Sequence, residues 1–96
     1  MFAQNDRMAV GAIRALREAG LRVPEDISVM GFDDMPLASY FDPPLTTVRQ
    51  DIFNIGCEAA RQLIWSIENP AEPPRNLRIQ AELVIRNSTI PCEEVP

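Results

Sequence analysis

Between Ile27 and Phe32 the chain reads Ile-Ser-Val-Met-Gly-Phe, a short and nearly continuous apolar run with β-branched Ile27 and Val29. A strand with one face in water alternates apolar and polar residues. A run without that alternation suits a strand covered on both faces, as in a parallel sheet flanked by helices. This segment constrains the chain to a layered α/β architecture more than any other does.

The flanking segments agree with it. Met8, Ala9, Ala12, Ile13, Leu16 and Ala19 recur at three- and four-residue steps, and Arg14, Arg17 and Glu18 fall opposite them. That spacing predicts an amphipathic helix from Asp6 to Ala19. Asn5 or Asp6 can cap its start, Gly20 supplies a left-handed stop, and Pro24 bars continuation. Gly11, inside this helix, reads either as a close approach of another backbone or as a tolerated glycine.

Beyond Phe32, Asp33-Asp34 end the apolar run, and Pro36, Pro43 and Pro44 exclude regular helix from most of the following loop. Leu45 to Arg49 reads as a second short strand. Asp51 can cap a second helix, from about Ile52 to Glu68, whose stripe of Ile52, Gly56, Ala59, Ala60, Leu63 and Ile67 is broadened by Phe53, Cys57 and Ile64. Cys57 in that stripe reads as a small core residue, and Trp65 lies with the polar face. Residues 70–76 are a Pro-rich connector. Leu77 to Arg86 alternates as a third strand, with a bend at Ala81-Glu82, and Glu93-Glu94 read as a solvated end.

Composition narrows the function. Ninety-six residues support one modest core. The net charge is −5, and all nine basic residues are arginines. An acidic, lysine-free surface argues against nucleic-acid contact by these residues. The absence of histidine excludes two-His metal sites and His-activated nucleophiles within them. Cys57 and Cys92 form no metal or redox motif, no glycine-rich phosphate loop is present, and adjacent Asp33 and Asp34 diverge on an extended backbone. The expectation is a non-enzyme without metal or cofactor. No secretory signal opens the chain and no apolar run approaches the roughly 20 residues of a membrane span, so a cytoplasmic location is expected.

In an open α/β sheet, ligands bind beyond the carboxyl ends of the strands. Three polar positions meet that rule: Asn5 after a stub strand at Met1–Gln4, Asp33 after Ile27–Phe32, and Gln50 after Leu45–Arg49. Asp33 can accept from paired hydroxyls, while Asn5 and Gln50 can donate or accept. Each also has a plainer reading, as a helix cap, a turn residue and a solvated helix entrance respectively. The abrupt beginning leads us to expect the carboxy-terminal part of a larger fold.

The runs Asn5-Asp6-Arg7-Met8-Ala9-Val10-Gly11-Ala12, Gly20 to Asp34 and Pro43-Pro44-Leu45-Thr46-Thr47-Val48-Arg49-Gln50 occur in the order and spacing of the LacI/GalR regulators. The chain resembles that family from about Phe2 to Thr89. The resemblance implies a periplasmic-binding-protein-like type I fold, represented by incomplete lobes. Residues to about 50 would come from the carboxy-terminal lobe, about 51–76 from the amino-terminal lobe, and about 77–90 would form a returning strand and tail. It further implies that Asn5, Asp33 and Gln50 contact a sugar- or nucleoside-like effector, and that Val10 and Phe41 lie at a homodimer interface. Operator DNA would be bound only through a helix-turn-helix outside these 96 residues. The alternatives are a sugar-binding protein of a transport system, or a truncated fragment with no activity of its own.

Overall fold

The computed structural model describes residues 1–92; Glu93 and Glu94 lie outside the described residues. The chain forms two compact units. One is Met1–Arg49 together with the chain from Glu82 onward, and the other is Gln50–Ala81.

In the first unit, helix α1 spans Asp6–Glu18. Asn5 caps it in an extended conformation, its side-chain oxygen accepting the Met8 amide at 2.8 Å. Its far end closes as a Schellman turn. Gly20, at φ 82°, donates to the Arg17 carbonyl at 3.0 Å, and Leu21 donates to the Leu16 carbonyl at 2.9 Å. The inner face buries Ala9 and Ile13 against Val23, Val29, Ala38 and Leu45, with Leu16, Ile27 and Phe41 packed around that core. Burial of these few side chains is the main source of cohesion in so small a unit.

The run Ile27–Phe32 buries Val29 and Gly31 but leaves Ile27, Ser28, Met30 and Phe32 half-buried, so it is not fully covered on both faces, and its parallel pairing comes as isolated bridges rather than a continuous ladder. Met30 bridges Phe2 on one side and Thr46 on the other, and Asp33 bridges Arg49, all in parallel. The backbone groups of the run are shared among several neighbours. Val29 donates to Ser88, Met30 to Met1 and Gly31 to Thr46, each at 2.9–3.0 Å.

Regular strand is confined to β1, Thr47–Arg49, and β2, Glu82–Val84. They pair antiparallel, with Arg49 opposite Glu82, so the sheet expected to be parallel carries an antiparallel element. The third strand expected over Leu77–Arg86 is correspondingly shorter. Residues 77–81 run outside any strand and are exposed except for half-buried Ile79. Alternation suits a strand, but only a hydrogen-bonded neighbour makes one.

The second unit consists of helix α2, Ile52–Glu68, and the connector after it. Asp51 caps α2, accepting the Asn54 amide at 3.1 Å. No residue of α2 is fully buried, and Cys57, expected in a core, is half-buried. Trp65 is half-buried, and the Arg75 guanidinium stacks over its ring 3.6 Å from the centroid. A Cβ added to Gly11 in α1 meets nothing within 4 Å, so the close approach considered for it does not occur among the described residues.

Candidate functional site

The site grows from the start of α1 and the end of the central run. The Asp6 amide donates to the Phe32 carbonyl at 3.0 Å, which places Asn5 and Asp33 on either side of one backbone hydrogen bond. Asp6 itself is fully buried. Its Oδ1 accepts from the Thr47 hydroxyl at 2.6 Å and its Oδ2 from the Met35 amide at 2.7 Å. A buried carboxylate must be hydrogen-bonded to persist, and these two bonds tie α1 to the loop after Asp34 and to β1. Gly31 makes the tie possible. A Cβ there would collide with the Asp6 carboxylate and stand 3.0 Å from the Asp6 Cα.

Asp33 and Asp34 both have positive φ, 111° and 56°. Such conformations strain a residue with a Cβ, and Asp is among the few that tolerate them. The corner is held at several points. Asp33 donates its amide to the Val48 carbonyl at 2.9 Å, and Asp34 donates its amide to the Thr47 hydroxyl at 3.3 Å. The Asp34 carboxylate accepts from Arg49 Nε at 2.7 Å on one oxygen and from Arg86 at 2.8 Å on the other.

Burial by itself pushes the Asp34 carboxyl up; the hydrogen bonds from Arg49 and Arg86, and their charges, outweigh it and hold the group below its ordinary value. Stability from these pairs is therefore complete above the unfolded carboxylate value near ~4 and is lost as pH falls through the lower folded value. Urea unfolding followed by circular dichroism is expected to show lower stability at acid pH, with a smaller acid loss in Asp34→Asn.

The three residues singled out from the sequence are placed as follows. Asn5 and Asp33 are neighbours in the first unit, both half-buried, and the Asn5 side-chain oxygen is already engaged as the helix cap. Gln50, also half-buried, begins the second unit. Val10 and Phe41 border one shallow apolar groove of about 270 Å³, floored by Ile13 and edged by Arg14 and Arg17. Asp6, Gly31, Asp34, Arg49 and Arg86 were not singled out for the roles they have here. The pair of aspartates before Met35-Pro36 was the usable signal, since Asp tolerates left-handed backbone.

A cleft of about 890 Å³ lies elsewhere in the first unit and contains none of Asn5, Asp33 or Gln50. Its arginines are paired: Arg17 with Asp42, Arg22 with Asp26, and Arg86 with Asp34. Among the described residues, no three His, Cys, Asp or Glu side chains are grouped to hold a metal ion, and no helix is long and apolar enough to cross a membrane.

In open α/β folds small ligands bind beyond the carboxyl ends of the strands, and this corner lies at such an end. Residues 1–89 match the periplasmic binding protein-like domain family, and the chain belongs to it. It is 49% identical over 85 residues to the HTH-type transcriptional regulator MalR of Streptomyces coelicolor, covering 88% of this chain and 25% of that protein. It superposes with a TM-score of 0.78, at 38% identity, on a LacI family transcriptional regulator from Enterococcus faecium with bound ribose, covering 96% of this chain and 34% of the other. With the lac repressor dimer bound to operator and an anti-inducer the TM-score is 0.82 at 40% identity, covering 94% of this chain and 31% of the other. The chain thus spans about a quarter of the length of its curated relative, and all three of these proteins are transcriptional regulators.

Proposed function

We propose that these residues are part of the sugar-sensing core of a LacI/GalR-type transcriptional regulator. In this reading residues to about 50 belong to one lobe, about 51–76 to the other, and about 77–90 return. The ribose bound to the Enterococcus faecium relative, which covers nearly all of this chain, is the observation that carries it. Asp33 accepts from sugar hydroxyls, Asn5 offers its remaining amide donors, and Gln50 is a further effector contact. The effector works by population shift: it favours one arrangement of the lobes, and that arrangement changes operator affinity in a DNA-binding segment outside these residues. The groove between Val10 and Phe41 is the contact face of a homodimer, and the protein works in the cytoplasm without catalysis.

Calorimetric titration of the intact protein with D-ribose and a panel of neutral sugars tests the site. Asp33→Ala is expected to weaken the best sugar about thirtyfold, the loss of one charge-assisted hydrogen bond of ~2 kcal/mol. Unchanged affinity in that variant would sink the assignment of Asp33.

A further inference from the structure

The carboxylate of Asp34 is only 10% exposed, and each of its two oxygens is taken by a different arginine. It is thus built into the structure rather than turned over to a ligand, although it is the immediate neighbour of Asp33. What it joins is informative. Arg49 is the last residue of β1, lies opposite Glu82 in the ladder, and approaches the Glu82 carboxylate at 3.6 Å. The next residue after Arg49, Gln50, begins the second unit, and the residue before Glu82, Ala81, ends it. Arg86 donates a second hydrogen bond to the Leu45 carbonyl at 2.9 Å. One carboxylate therefore connects the left-handed corner to both points where the chain crosses between units.

We infer that Asp34 is a positioning residue, acting through Arg49 and Arg86 to fix the Asp33 corner to the two crossings at Arg49 and Glu82. The inference rests on the sugar-site reading of Asp33. Two consecutive residues with positive φ are costly for side chains bearing a Cβ, and such strain persists only where surrounding bonds over-determine it. Here the determining bonds are the amide bonds to Val48 and Thr47 and the ionic bonds to Arg49 and Arg86, and the ionic one to Arg49 leads to the crossings. A ligand that moves Asp33 pulls on its neighbour Asp34, and through the Asp34 carboxylate on Arg49, which lies opposite Glu82. The clasp thus gives ligand contact a physical route to the points where the chain leaves and rejoins the first unit.

Asp34→Asn tests this directly, because Asn keeps the size and the tolerance of left-handed backbone while removing the charge. Arg49→Gln is the second variant; Arg49 is half exposed, so its loss spares the core. In the intact protein both variants are expected to shift the backbone amide resonances of Asp33 and Glu82 and to leave those of Ala9 and Ile13 in place. Affinity for D-ribose is expected to fall about tenfold in each, ~1.4 kcal/mol, with Arg49→Lys retaining most of it. The double variant is expected to be scarcely worse than either single one, the mark of residues acting through one interaction. Unmoved Asp33 and Glu82 amides in both variants, or effects that simply add, would overturn the clasp. If D-ribose does not bind the unaltered protein, the ribose reading falls, and the amide shifts alone decide for or against the clasp.

Discussion

Gly31→Val is expected to lower the stability of the first unit by about 4 kcal/mol, a large share of the roughly 5–15 kcal/mol that holds an ordinary domain folded. The glycine is needed here for space. A Cβ at residue 31 runs into the Asp6 carboxylate, sits 3.0 Å from the Asp6 Cα and 3.1 Å from the Leu45 side chain. The carboxylate cannot swing aside, because the Thr47 hydroxyl and Met35 amide hold both of its oxygens. Displacing it would leave those buried donors without an acceptor, a cost added to the overpacking itself. Urea unfolding measured by fluorescence and circular dichroism checks this. A Gly31→Val protein with an unchanged midpoint would show that α1 can move away from the central run at little cost.

The second large effect concerns the 96-residue chain by itself. It is expected to self-associate, or to remain loosely folded, rather than to behave as a well-packed monomer of 10.8 kDa. Along α2, Phe53 is 83% exposed, Ile67 69%, Ile52 65% and Leu63 63%, although these residues make up its apolar stripe. An isolated helix in water gains little from propensity, and most helical stability comes from burying such a face. A contiguous apolar surface of this kind favours association. Sedimentation equilibrium across a range of concentrations, with binding of a hydrophobic dye, provides the measurement. A well-dispersed amide spectrum from a concentration-independent monomer without dye binding would contradict the expectation.

Much of this was legible in the sequence, and the reasons are local. The bounds of both helices follow from apolar periodicity and from caps acting within three or four residues, so Asn5, Gly20 and Asp51 could be read directly. The strands were less legible because pairing is decided by distant residues. Leu77 to Ala81 alternates like a strand and is none, while the central run pairs piecewise with three other segments. The candidate corner was found at Asp33 by a topological rule. What holds it was not found: Asp34 depends on arginines 15 residues away at Arg49 and more than fifty away at Arg86, and nothing in the local pattern of either marks it. Asp6 read as a cap for the same reason, since its partners Met35 and Thr47 are distant in the chain.

The pairing of Arg49 with Glu82 has a consequence for how such chains can change. Residues directly opposite in an antiparallel ladder lie about 5 Å apart at their Cα atoms. Everything from Gln50 to Ala81 therefore leaves and rejoins the first unit through one narrow doorway. A segment bounded in this way behaves as a cassette, which evolution or an engineer can lengthen, trim or exchange while the threading of its host stays the same. The features that preserve the threading in such an exchange are few, the doorway pair and the aspartate that latches it, and Gln50 must be kept as well if the proposed sugar contact is to survive.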